Sequence, residues 1–285
     1  MTRWARRAIG LVVLQLVSIP GAFAQGEEKQ LGWADKAELA FVLTAGNSET
    51  SMLGFRNVLS RIWQNAQFHF ELAGLRTDTA TITRTPVGIS SEAFVVEESK
   101  VTALTAENYL TRAKYDRNLS ARLFAYGSGG WERDEFAGVR NRYYGAGGVG
   151  NIWRDRDDMR WRTDYGLSVT HEEPTLGSGD TFAGLRLSSD FLKQLTANTT
   201  LENLTIANEN LDDTSDFRVD ALTALAVAMA DHLAIKLSLR LLFDNVPSFT
   251  EALLRLPGGT ITGIPVPVQA DKLDTRFSVA VAVSF

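Results

Sequence analysis

The densest group of side chains that could do chemistry is His171-Glu172-Glu173, with Asp180 close behind. Imidazole and carboxylate are both ligands for divalent ions. Successive residues of an extended strand point to opposite sides, however, so His171 and Glu173 would turn away from Glu172. The stretch runs into Pro174 and reads as the solvated acidic start of an outer loop. A lipid-hydrolysing barrel would need a histidine and a serine placed as base and nucleophile. The three histidines, His69, His171 and His232, have no serine at such a spacing, and Gly177-Ser178-Gly179 reads as a flexible tip. Residues 145–150, GAGGVG, match the dinucleotide pattern G-x-G-x-x-G. That pattern requires a preceding strand, a following helix and an acidic residue ~20 positions on. Asn151-Ile152-Trp153 and a charged turn follow instead, so the expectation is a glycine-rich strand closely approached by its neighbours. The chain has no cysteine, which removes disulfides and thiolate metal sites. The sequence thus leads to the expectation of no catalytic, cofactor-binding or metal-binding residues, with a lipid-modifying enzyme as the lesser alternative.

The more informative pattern is alternation. In LDTRFSVAVAVSF, residues 273–285, the odd positions Phe277, Val279, Val281, Val283 and Phe285 are apolar, and the even ones are polar or small. A period of two is that of a strand with one apolar face. Segment 159–171 sets Met159, Trp161, Tyr165, Leu167 and Val169 against Arg160, Arg162, Asp164, Ser168 and Thr170. Segment 232–244 does the same with Leu233 to Phe243 against Lys236, Ser238, Arg240 and Asp244. Segments 181–191, 217–229 and several in the N-terminal half follow suit, and 101–115, 119–132, 139–153 and 199–208 look extended. This gives about twelve strands, most of about nine to fourteen residues. Strands of soluble sandwiches are typically about five or six residues, whereas those that cross a bilayer at a tilt need ~9–11.

The first residues point the same way. Arg3, Arg6 and Arg7 precede an apolar run from Ala8 to Ile19 and then Ala22-Phe23-Ala24. This is the form of a secretory signal peptide over 1–24. A periplasmic tail over 25–32 and a barrel over 33–285 would follow. The formal charge of the whole chain is -5, and removing the leader makes it more negative, which argues against a nucleic-acid partner. Past Ile19 no apolar run is long enough for a membrane helix, so any crossing must use strands.

The connections alternate in length. Short turns are expected at 64–66, 116–118, 154–158, 195–198 and 230–231, and long outer loops at 78–100 and 245–271. Membrane barrels have short periplasmic turns and longer outer loops. The fold expected is an all-β transmembrane antiparallel barrel of about twelve strands. Trp63, Trp131, Trp153 and Phe285 fall near strand ends, where aromatic girdles sit.

The stretch WADKAELAFVLTAGNSETSMLGF at 33–55, with YDRNLSARLFAYGSGGWERDEFAG and YYGAGGVGNIW further on, resembles the YdiY-like salt-induced outer-membrane proteins. The similarity covers roughly 33–285. It implies a barrel in the outer membrane of a Gram-negative cell and an envelope role in salt or osmotic adaptation, and it brings no established ligand or catalytic residue.

With the apolar parity against lipid, the lumen would collect Glu38, Glu71, Arg140, Arg142, Arg160, Arg162, Asp164, Arg218, Asp220, Arg240, Asp244, Asp274 and Arg276. In a narrow barrel such charges either pair and plug it or line a path for small ions or solutes, and the sequence leaves both open. The expected partners are outer-membrane lipids and, through the terminal aromatic strand 277–285, the barrel-assembly machinery.

Overall fold

The computed structural model describes residues 31–44, 48–89, 93–257 and 261–284. The leader at 1–24, most of the proposed tail and Phe285 lie outside the described residues. Twelve strands close into one antiparallel barrel. In chain order they begin with β1 (Gly32–Thr44), β2 (Ser48–Ile62), β3 (Ala66–Gly88) and β4 (Phe94–Asn118). β5 (Leu123–Asp134), β6 (Val139–Arg156), β7 (Met159–Pro174) and β8 (Asp180–Thr196) follow. After β9 (Thr199–Asn210), β10 (Phe217–Ala230) and β11 (Leu233–Asp244), a separate two-stranded hairpin intervenes, β12 (Phe249–Arg255) with β13 (Ile261–Gln269). β14 (Leu273–Ser284) then pairs with β11 on one side and β1 on the other, closing the ring.

Burial runs opposite to that of a soluble protein. Along β7, Leu167 is 64% exposed on the outside while Asp164, on the opposite parity, is 3% exposed. Leu185 and Leu187 of β8, Leu237 and Leu239 of β11, and Phe277 and Val279 of β14 are likewise exposed. Covering such a side chain is worth about 1.5–3 kcal/mol, so a continuous apolar belt of this kind fits hydrocarbon and not water. Closure pairs every strand of the ring on both sides, as hydrocarbon demands, the β1–β14 ladder being the shortest.

The two ends of the barrel differ. At one end, the turn end, strands are joined by short links such as Asp157-Asp158 between β6 and β7. Aromatic rings ring this end: Trp63 lies edge-on to Tyr115 at 6.3 Å, and Trp153 lies 5.7 Å from Trp161. The Arg61 guanidinium sits 4.9 Å from the Trp33 ring and 5.1 Å from that of Trp63. At the other end, the hairpin end, Trp131 donates to Asn141 at 3.1 Å.

Several expected connections prove to be structured. Residues 78–88 and 94–100 are strand and not loop: β3 and β4 stay paired up to Gly88 and Phe94. β2 accompanies β3 only to Thr81, and β5 accompanies β4 only as far as Asn108, so the β3–β4 ribbon projects beyond the rim. The second long connection holds the β12–β13 hairpin. The turn expected at 116–118 is strand; the chain reverses at Leu119–Arg122, and Asp116 points inward with 2% exposure. His171 to Glu173 also belong to a strand, β7.

The glycine-rich stretch of β6 makes room. A Cβ on Gly150 would sit 2.3 Å from Cζ of Phe124, whose ring is fully buried on the lumen side. One on Gly148 would sit 2.2 Å from the backbone oxygen of Tyr165 on β7. Neighbouring groups do approach closely there, and a strand, not a helix, surrounds the pattern.

Candidate functional site: the charged lumen

The inward parity carries charges that meet in three tiers. In the middle tier Lys236 of β11, 4% exposed, bonds Glu38 of β1 and Glu202 of β9, both at 2.8 Å. Glu38 also accepts from Arg56 of β2 at 3.1 Å, and Arg56 donates to Glu71 of β3 at 2.6 Å. Arg112 of β4 then lies 3.3 Å from Glu71 and 3.6 Å from Asp220 of β10. Asp220 in turn accepts from Arg240 at 2.7 and 2.8 Å. Signs alternate along the whole chain of contacts. Each charge has lost water, and opposite partners with hydrogen bonds are what make that tolerable.

In the ring β4 and β10 are diametrically opposite, so the contact of Arg112 with Asp220 crosses the lumen. A second crossing lies nearer the hairpin end, where Arg276 of β14 donates to Asp134 of β5 at 2.5 Å.

The hairpin-end tier centres on Glu172, which accepts from Arg142 at 2.7 Å and Arg218 at 2.6 Å. Arg142 also bonds Glu132. Arg218 reaches Asp216 at 2.9 Å and Asp244 at 3.2 Å. The connection after β11 folds over this tier: Pro247 is buried, and Ser248 Oγ stands 3.4 Å from Glu172. A cavity of about 180 Å³ reaches from Pro247 past Arg142 and Arg218 to Arg112 and Asp220 of the middle tier. Outside the spanning strands, Asp213 accepts from the Ser215 hydroxyl and backbone N–H, which holds its carboxyl below the usual carboxylate range.

In the turn-end tier Asp164 accepts from Lys114 and from Ser188, the latter at 2.6 Å. Asp116 accepts from Gln67 at 2.6 Å and lies 3.4 Å from Arg162. Arg162 stacks on Phe124 at 4.2 Å, and with Tyr126 and Ile152 this ring forms a small apolar cluster inside the lumen.

The structure thus brings Glu38, Glu71, Asp220 and Arg240 into the middle tier, and Arg142, Arg218 and Asp244 into the hairpin-end tier. Arg276 crosses to Asp134 and lies 3.8 Å from Asp274. Arg162 and Asp164 join the turn-end tier, and Arg160 lies at that mouth, 3.7 Å from Asp190. Arg140 is a correction. It is exposed on the outer side and donates to the backbone oxygen of Thr175 at 2.9 Å. The register of β6 against β7 shifts between Val139 and Asn141, and this bulge reverses the parity that strict alternation gives. The lumen-facing set expected from the sequence lacks Arg56, Arg112, Glu132, Glu172, Glu202 and Lys236, although Lys236 already stands on the polar face of its segment. The same parity count finds them, as Arg56 between Phe55 and Asn57 shows.

The histidine group does not assemble a metal site. Glu172 points inward, while His171 and Glu173 point outward, His171 bonding Thr181 at 2.7 Å. No cluster of three or more potential metal ligands occurs among the described residues.

A lipid-facing apolar belt around a charge-filled interior defines a transmembrane antiparallel β-barrel of the outer-membrane type. Residues 37–252 match the family model described as "Protein of unknown function, DUF481", and the chain belongs to that family. No curated protein matches it. Among solved structures it is similar to the translocator domain of autotransporter NalP from Neisseria meningitidis. That match has 10% identity and a TM-score of 0.42, over 91% of this chain and 90% of that one. It is also similar to the anion-selective porin from Comamonas acidovorans, at 11% identity and a TM-score of 0.36, over 90% and 99% of the two chains. A third is OmpT, an outer membrane protein of Vibrio cholerae, at 9% identity and a TM-score of 0.37, over 89% and 96%.

Proposed function

We propose that the protein is a non-enzymatic barrel of the Gram-negative outer membrane whose lumen is closed along its axis at rest. In this reading the turn end faces the periplasm and the projecting hairpins face outward. The observation that carries closure is the pair of cross-lumen contacts, Arg112 with Asp220 and Arg276 with Asp134. They bridge the lumen from wall to wall at two levels. The cell would use such a barrel to adapt its envelope to salt or osmotic stress, a role supported by the resemblance of the chain to salt-induced outer-membrane proteins. Export by the leader and recognition of β14 by the assembly machinery belong to the same reading.

Planar-bilayer recording of refolded protein tests it. The wild-type chain is expected to insert without steady current, and the double variant Arg112→Ala, Arg276→Ala to give discrete conductance steps. Steady conductance from every wild-type insertion would refute closure. Growth of a deletion strain at high salt tests the physiological role, and growth equal to the parent would remove it.

A further inference from the structure

β1 and β14 close the ring, yet their ladder is short. It joins Lys36–Leu39 to Ser284–Val281 and stops. Both strands continue: β1 pairs with β2 as far as Thr44, and β14 pairs with β11 as far as Leu273. Among the described residues, from Ala40 to Thr44 in β1 and from Ala280 back to Leu273 in β14, the edges facing each other carry no ladder pairs. This unpaired stretch lies at the depth of the apolar belt, since Phe277 is 68% exposed and Val279 51%. Backbone groups left open to hydrocarbon are costly and are tolerated only where they line a cavity or meet a partner.

A cavity lies behind the seam. It measures about 180 Å³, and its wall includes Phe277 at the lipid side, Leu110, Leu204 and Leu222 within the lumen, and four arginines, Arg112 among them, against three carboxylates. Leucines on an inward face are unusual in a charged lumen, and these give the cavity an apolar floor. Arg112 has the longest contacts in its tier: its buried Nε lies 3.3 Å from Glu71 without hydrogen-bond geometry, and the guanidinium lies 3.6 Å from Asp220. The cavity therefore combines an apolar bed, one more arginine than carboxylates with Arg112 the most loosely paired, and the exposed Phe277 at its lipid side.

We propose that a single-chain anionic amphiphile of the fatty-acid type enters sideways from the bilayer through the β1–β14 seam. Its chain lies along Leu110, Leu204 and Leu222, and its carboxylate reaches Arg112. This goes beyond the axial closure proposed above and does not depend on it, because the route is lateral.

Two measurements on the refolded full-length chain in phosphatidylcholine nanodiscs test the proposal. The natural chain lacks cysteine, so Ala40→Cys with Ala280→Cys reports on the seam alone. Continued register would bring these two residues opposite each other. Thiols that remain open to alkylation support the gap, whereas complete spontaneous oxidation to a disulfide overturns it. The second measurement follows binding of a dansyl-labelled undecanoic acid, corrected for empty nanodiscs. Saturable binding is expected, displaced by laurate and not by dodecanol. Arg112→Gln should weaken it about tenfold, the loss of one hydrogen bond to a charged group. Leu222→Trp, which fills the apolar bed and leaves the ion pairs in place, should abolish it. Binding that is absent, equally displaced by dodecanol, or unchanged in both variants overturns the site. Gel mobility that changes on boiling verifies that each variant has folded.

Discussion

Replacing Lys236 by methionine tests whether the interior is held by a connected set of charges. Lys236 is 4% exposed and is bonded by two carboxylates, Glu38 and Glu202, each at 2.8 Å. Methionine keeps the length and removes the charge. Glu38 would then retain Arg56 at 3.1 Å, while Glu202 would lose its bonded partner. Removing one member of a buried pair costs about 3–5 kcal/mol. The Glu202 side chain keeps 31% of its surface accessible, which favours the lower figure, about 3 kcal/mol. Urea unfolding from phospholipid vesicles, followed by tryptophan emission, reads the change. With a slope of about 3 kcal/mol per molar, the midpoint should fall by about 1 M. The triple variant Glu38→Gln, Lys236→Met, Glu202→Gln removes the stranded charges together and should recover at least half of the loss. A single variant whose midpoint matches the wild type within error would refute the coupling of these residues, and with it the view of the middle tier as one network.

Leu167→Arg places a charge in the middle of the lipid belt and should destabilise the barrel in vesicles by about 2–4 kcal/mol. A shift near zero in the same urea assay would mean that this face does not meet hydrocarbon. Gly150→Val drives side-chain carbon into the Phe124 ring and should abolish or greatly slow refolding. Gly127→Ala, with nothing within 4 Å of the added carbon, should refold as the wild type does, as read by heat-modifiable gel mobility.

Most of the architecture was legible because lipid on one side and charge on the other impose alternation on every spanning strand. The Leu233 to Phe243 series of β11 and the Phe277 to Val283 series of β14 show it residue by residue. Parity failed where the ladder itself departs from regularity. The bulge at Val139/Asn141 turned Arg140 outward, and no local signal in VRNRYY announces it. Ribbon extension was hidden for a different reason. Between Asp78 and Lys100 there is no apolar face to alternate, because water lies on both sides, so a long strand there has the composition of a loop. Pairing across the lumen was beyond reach in principle. Whether Arg112 meets Asp220 depends on the stagger with which the sheet closes, a property of the whole ring and of no segment within it.

The projecting ribbon has a mechanical consequence. Beyond its last pairing with β2 at Thr81, β3 runs on to Gly88, about 23 Å at the usual rise of a strand. The strands that form this mast are those that carry Glu71 and Arg112 below. Whatever grips the tip therefore holds a lever whose short arm ends at the midline bridge, and a pull there would be felt at Asp220 on the far wall.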